Sequence, residues 1–297
     1  MINNFEQLLA QVKLLENKNI VIAAAHTDSV LEAAIMAKNE NFAESILVGD
    51  STYIGEYLNK AKVSPDHFRI VDTGNDLALA AQTAVKIVRS GEGHLIMKGI
   101  CDTSTLLKAV LDKEKGLRTG NIMSDVLVFE TPEKLVMMGD GGFIPLPDIN
   151  EKISILKNCV KVAHSLGNKT PKAAMLTHTE KVNSRIQSTV DAAKIAEMNR
   201  EGLIDGCIVD GPLALDNAIS AEALRIKGIS SPVEGNADIL VVPNIEAGNI
   251  FGKCLIYYCR YPVAHVVLGA RVPILIASRA ADAETKLRTI ALGIICS

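Results

Sequence analysis

The sequence predicts an α/β protein of two domains, and three observations carry the prediction. Short β-branched runs alternate with alanine-rich segments of helical spacing, as parallel strands joined by crossover helices require. A chain of 297 residues can bury two hydrophobic cores of ordinary size. Apolar residues make up 48% of the chain while aromatics supply 4% and tryptophan none. The core is therefore Ala, Ile, Val and Leu, the composition of parallel sheets covered by helices.

Ile20–Ala25, Ser45–Val48, Phe68–Val71 and His94–Met97 read as strands running into Gly, Asp, Thr or Lys. Val30–Asn39 and Leu77–Arg89 have helical spacing, and Gly91 and Gly93 close the second; right-handed crossovers place such helices on both sheet faces. Val126–Phe129 and Leu135–Met138, separated by Thr131, Pro132 and Glu133, predict an antiparallel hairpin that interrupts the rhythm. A helix capped by Asn150 follows, with Ile153, Leu156, Val160 and Ala163 on its apolar face and Gly167 at its end.

Ala173–Leu176 is the next strand, and Ser188 with Asp191 forms a capping box for a helix running to Glu201. Gly206–Val209 is a strand entering Asp210, Gly211 and Pro212. Ile239–Val242 is another, stopped by Pro243 and Asn244, after which Gly248, Asn249, Gly252 and Lys253 read as a polar, glycine-punctuated turn. Pro273–Ala277 is the last strand, and from Asp282 a helix buries Leu287, Ile290, Ala291 and Ile294. No repeat, low-complexity tract or Pro/Ser-rich linker intervenes, so the chain crosses between domains on ordinary elements. A cleft between such domains is a preferred ligand site.

Composition excludes several classes of function. A net charge of −3 offers no electrostatic footprint for nucleic acid, and so few aromatics make no base-stacking platform. The six cysteines are scattered, without metal or redox spacing, and the six histidines show no i, i+4 metal pair. The amino terminus, MINNFEQLLAQVKLLENKN, has neither a basic start nor a long apolar run, so no signal peptide or membrane span is expected and a cytoplasmic setting follows. Gly248 and Gly252 are three residues apart and Cys254 follows Lys253, whereas a P-loop needs four residues between its glycines and a hydroxyl after its lysine. No serine sits in a G-x-S-x-G elbow.

Chemistry is concentrated at strand ends. Lys98 and Gly99 are followed by Asp102, Thr103, Ser104 and Thr105 at a helix start, which is either an oxyanion or phosphate site or a plain N-cap cluster beside a lysine. Arg118, Thr119, Gly120 and Ser124 surround a turn whose guanidinium and hydroxyls match phosphate oxygens, or form a polar interdomain loop. Asp216 and Asn217 follow the turn at Pro212, with Asp216 equally readable as an N-cap. Asn249 and Lys253 offer an amide and a cation. Ser278 and Arg279 follow the last strand, with Asp282 and Glu284 opening the final helix; the arginine suits a dianion, and the acidic first turn also suits the helix dipole.

In order along the chain, MKG at 97–99, RTG at 118–120, DGPLALDNA at 210–218, ADILVVPNIEAGNIFGK at 237–253 and SRAADAETKLRTIALG at 278–293 resemble the phosphate acetyl/butyryltransferase family. The likeness spans most of the chain and is nearest the butyryl and branched-chain members. It implies two α/β domains with a cleft between them, in an architecture similar to isocitrate and isopropylmalate dehydrogenases, with residues 1–124 plus 275–297 as one domain and 125–274 as the other. It also implies direct transfer of a short acyl group between coenzyme A and inorganic phosphate in a ternary complex, with coenzyme A as co-substrate and no bound cofactor. A homodimer and butyrate kinase as a pathway partner follow from the same resemblance.

On this likeness Arg279 holds the phosphate, supported by Ser278, Ser124, Thr119 and Lys98, while Asn249 and Lys253 position substrate. The catalytic residues are Arg279, Ser278 and Asp282. Phosphate acetyltransferases carry an aspartate six residues after the matching arginine, where this chain has Thr285, so Asp282 is named as the base. Butyryl-type relatives often have histidine after the serine matching Ser124, where this chain has Asp125, which leaves the acyl preference open. The loop GDGGFIPLP at 139–147 is a further departure, suited to shaping an acyl pocket or a dimer contact. The alternatives are a phosphate acetyltransferase, a non-catalytic acyl-CoA-binding protein, and a dehydrogenase of similar fold, which would need a nucleotide loop and a metal-binding carboxylate cluster.

Overall fold

The computed structural model describes residues 1–278 and 280–297. The chain forms two compact units, one of Glu6–Asn121 and Ala264–Ser297, the other of Met1–Phe5 and Ile122–Val263. Both are α/β, and each contains parallel and antiparallel strand pairs.

In the first unit, helix α1 (Phe5–Val12) precedes β1 (Lys18–Ala23), α2 (Asp28–Asn39), β2 (Ala43–Gly49), α3 (Ser51–Lys60), β3 (Arg69–Asp72), α4 (Leu77–Arg89), β4 (Leu95–Lys98) and α5 (Thr103–Val110). The strands lie in the order β3-β2-β1-β4, all parallel, because each strand returns through a helix. Three of these helices begin on a side-chain cap: Asp50 for α3, Asp76 for α4 and Asp102 for α5. The alanines of α4 are its means of close approach, since Ala80, Ala81 and Ala84 are all buried. At the carboxyl end of the chain β10 (Val263–Leu268), β11 (Ile274–Leu275) and α11 (Ala283–Ile295) complete this unit. β11 is parallel to β4 and antiparallel to β10. The expected strand Pro273–Ala277 thus shortens to two residues, and β10 is a strand that the β-α rhythm does not announce.

The second unit contains β5 (Ser124–Glu130), β6 (Leu135–Gly139), α6 (Ile149–Ser165), β7 (Lys172–Leu176), α7 (Gln187–Arg200), β8 (Ile208–Leu213), α8 (Leu215–Ile219), α9 (Ala221–Lys227), β9 (Ile239–Val241) and α10 (Ile245–Tyr257). The order is β5-β6-β9-β7-β8, with the predicted β5–β6 hairpin antiparallel and the remaining pairs parallel. Leu127, Phe129, Met138, Leu213, Leu240 and Leu255 share one core, in which Phe129 stacks on Tyr261 with ring centroids 6.3 Å apart and meets Phe251 edge-on.

Three sequence expectations are corrected here. Helix α6 is capped by Asp148, not Asn150: its carboxylate accepts from Glu151 N at 2.9 Å while Glu151 accepts from Asp148 N at 2.8 Å, the reciprocal capping box. Helix α7 has no side-chain cap, and Asp191 is instead buried in an ion pair with Lys152 at 2.7 Å. The residues after β9 are not a turn but the helix α10, capped by Asn244, which accepts from Ala247 N at 2.9 Å. Its glycines serve close approach, since a Cβ on Gly248 would lie 2.8 Å from the Asp140 carbonyl oxygen. Among the described residues no helix is long and apolar enough to cross a membrane.

Candidate active site

In the first unit, β4 ends on Lys98, whose side chain turns back into the fold and donates to the carbonyls of Gly99 at 3.1 Å and Cys101 at 3.0 Å. Gly99 lets β4 run against β1, because a Cβ there would stand 2.0 Å from the Ala24 carbonyl oxygen. Asp102 then accepts from Thr105 N and from the Ser104 hydroxyl, both at 2.7 Å. A carboxylate therefore occupies the start of α5, and the hydroxyls of Thr103 and Ser104 belong to a capped helix end.

Thr119 donates its hydroxyl to the Gly269 carbonyl at 2.6 Å and accepts from Asn121 N at 3.2 Å. With Gly120 forming the turn and Arg118 bridging to Ala270, this segment is tied to the loop between β10 and β11. Ser278 is exposed and accepts from Ala280 N at 3.3 Å. Asp282 caps α11 by accepting from Thr285 N at 2.8 Å, and this hydrogen bond holds its carboxyl below the usual carboxylate range. Such a group is ionised at neutral pH but weakly basic. Arg279 lies outside the described residues.

In the second unit Ser124 is buried and accepts from Asn158 Nδ2 at 2.8 Å. Asp216 forms no cap: it pairs with Lys227 at 2.8 Å, and Lys227 also meets Glu180 at 3.0 Å. Asn217 is buried beside them and donates to Glu180. Asn249 donates to the Gly141 carbonyl at 3.2 Å, and Lys253 is exposed with its ammonium 5.8 Å from the Tyr257 ring centroid. The sequence-predicted residues thus fall in both units, and most of their polar atoms are engaged in holding the strand ends.

Three groups escape the sequence reading. Asp140, only 2% exposed, accepts from the backbone N–H groups of Gly142, Phe143 and Ile144 at 2.9 to 3.1 Å, which shapes the loop leading to α6. Burial, and then the charge of Asp125, push its carboxyl up to about 7. Lys152 and Lys286 are the others. Both stand on apolar helix stripes, Lys152 with Ile155 and Leu156, Lys286 with Leu287 and Ile290, and a cation at such a position is the signal that could have found them.

The raised Asp140 carboxyl sits above its unfolded value. Its contribution to stability is therefore whole below about pH 4 and is lost as pH rises through about 7. Asp125→Asn, which removes the neighbouring charge, is expected to stabilise the protein by about 1 kcal/mol more at pH 8 than at pH 5. Urea unfolding at both pH values measures this, and equal changes would contradict it.

Among the described residues no three His, Cys, Asp or Glu side chains stand together as metal ligands. The model of the phosphate acetyl/butaryl transferase family matches residues 4–81 and 75–294. A phosphate butyryltransferase from Clostridium beijerinckii is 42% identical over 99% of this chain and 97% of its own length, and a phosphate acetyltransferase from Thermotoga maritima is 38% identical over 98% and 99%. The crystal structure of a branched-chain phosphotransacylase from Enterococcus faecalis superposes with a TM-score of 0.83 at 30% identity, covering 94% of this chain and 98% of that one. The chain belongs to the phosphate acetyl/butaryl transferase family, a family of transferases.

Proposed function

We propose that the chain moves a butyryl or branched short acyl group between coenzyme A and inorganic phosphate: acyl-CoA and phosphate give acyl phosphate and CoA. The observation that carries this reading is the match to a phosphate butyryltransferase along both whole chains. Coenzyme A is the co-substrate, and the chemistry calls for no resident cofactor. One phosphate oxygen attacks the thioester carbonyl carbon, the C–S bond breaks, and the CoA sulfur takes up the proton that phosphate brought and leaves as the thiol.

Direct transfer in a ternary complex is part of the proposal. Burial holds the Cys159 thiol far above its usual range and Cys207 at about 11, so neither is an activated nucleophile for an acyl-enzyme. Arg279 and Ser278 remain the proposed phosphate holders, and Asp282 the nearest carboxylate to them in sequence. Its capping hydrogen bond favours a role in orienting the Ser278–Asp282 segment over proton transfer. Thr119, Ser124, Asp216, Asn217, Asn249 and Lys253 fit supporting roles through the backbone segments they brace.

We extend the proposal to an architecture shared with isocitrate and isopropylmalate dehydrogenases, which rests on the family resemblance of the sequence motifs. The two units are proposed as the enzyme's two domains. A homodimer is supported by α10, which leaves Ile250, Tyr257 and Tyr258 exposed. The acyl phosphate is a phosphoryl donor, so a kinase of the butyrate kinase type would consume it.

The test is release of free thiol from acetyl-, butyryl-, isobutyryl- and isovaleryl-CoA with and without phosphate. Phosphate-dependent release that is fastest with the four- and five-carbon groups is expected. Fastest release with acetyl-CoA would make the protein a phosphate acetyltransferase, release without phosphate a thioesterase, and silence an acyl-CoA-binding protein.

A further inference from the structure

A groove of about 810 Å³ lies between α4 and α5 in the first unit, within the range of roughly 300 to 1,000 Å³ in which small-molecule sites fall. Both helices return from parallel strands and so run in the same direction, which gives the groove two ends of different chemistry. Ala78 and Leu79, in the first turn of α4, make one end apolar, and Leu79 keeps 45% of its surface exposed there. At the other end stand Lys86 and Arg89 from the last turn of α4, Lys108 from the last turn of α5, and Lys115 just beyond it. Arg89 Nη1 donates to the Glu114 carbonyl at 2.7 Å and ties this end together.

Four cations thus line the groove against one carboxylate, on a chain whose net charge is −3. That carboxylate, Asp112, is already engaged: it accepts from Glu114 N at 2.9 Å and Lys115 N at 2.7 Å. Among the described residues the ammonium groups of Lys86, Lys108 and Lys115 have neither a carboxylate nor a carbonyl partner. The helix dipole favours a cation in each last turn, but it does not require two helices to direct theirs into one groove, and Lys115 stands outside both. From Leu79 to Arg89 the helix rises about 15 Å, room for a base, a ribose and a phosphate chain in line. We propose that this groove binds a nucleoside polyphosphate, with the phosphates among the four cations and the base against Ala78 and Leu79. Gln82 and Thr83, between the two ends, offer an amide and a hydroxyl to the polar atoms of the nucleoside. None of these side chains has a part in the proposed acyl transfer.

The experiment is equilibrium dialysis of ATP, without magnesium, against the whole protein in saturating coenzyme A, which keeps the proposed co-substrate's own site filled. ATP is expected to bind, and the double variant Lys86→Gln with Lys108→Gln to bind it about 10-fold or more weakly. The double variant should keep the wild-type melting temperature, with KM values for acyl-CoA and phosphate within about 2-fold. Leu79→Ser should weaken ATP by about 5-fold and leave inorganic tripolyphosphate unchanged. No ATP binding by the wild type, ATP binding that survives the double lysine change, or tripolyphosphate bound as tightly as ATP overturns the assignment. So does a glutamate-rich peptide that binds the groove more tightly than ATP. If the protein transfers no acyl group, the dialysis and the melting temperature still decide.

Discussion

Arg279→Ala is expected to lower turnover by about 100-fold or more while leaving the fold intact, the usual cost of removing a charge-assisted donor from a developing anion. Arg279 directly follows Ser278 at the end of the segment beyond β11, three residues before the Asp282 cap of α11. Ser278 accepts from Ala280 N, and its carbonyl accepts from Ala281 N at 3.0 Å. The loss should therefore appear in kcat and in the response to phosphate, with circular dichroism and melting temperature unchanged. Arg279→Lys should recover only part of the activity, because an ammonium lacks the planar fork that grips two oxygens at once. Near-native activity in the alanine variant would remove Arg279 from the site.

The largest effect on stability is expected at Lys152. Its ammonium meets the Asp191 carboxylate at 2.7 Å, and both side chains are 6% exposed; Gln187 also donates to Asp191 at 2.7 Å. Lys152→Ala would leave the carboxylate buried without its cation, at a cost of about 3 to 5 kcal/mol. The double variant Lys152→Met with Asp191→Leu should recover most of that loss, since it removes both charges and refills the space. Urea unfolding of the three proteins measures it. A loss below about 1 kcal/mol in the single variant would show that water already screens the pair.

The pair also shows where sequence reading reaches its limit. Asp191 reads naturally as half of a capping box with Ser188, because local spacing cannot reveal a partner 39 residues away on another helix. The strands, by contrast, are legible wherever a β-branched run is bounded by turn residues, as at β1, β2, β4 and β7. The region after β9 fails for a different reason. Gly248 and Gly252 are punctuation in a sequence but contacts in a structure, and α10 keeps them so that it can lie against Gly141 and Leu127. With that, Asn249 and Lys253 move from a loop to a helix surface.

Among the candidate residues, Lys98 stands at a strand end as its motif implies while Ser278 lies three residues beyond the shortened β11, but hydrogen-bond partners decide what such residues can do. Thr119 and Ser104 look like phosphate donors in sequence and spend their hydroxyl protons on Gly269 and Asp102. Lys286 looks like a surface lysine in an amphipathic helix and is buried. Family resemblance found the reaction. Only tertiary packing reveals the burial of Lys286.

Phosphorus NMR of the protein incubated with butyryl-CoA and inorganic phosphate, read beside a thiol titration of the same sample, tests the proposed reaction most directly. An acyl phosphate resonance growing one for one with free coenzyme A is the predicted result. Thiol appearing without acyl phosphate, or neither product appearing, would contradict it.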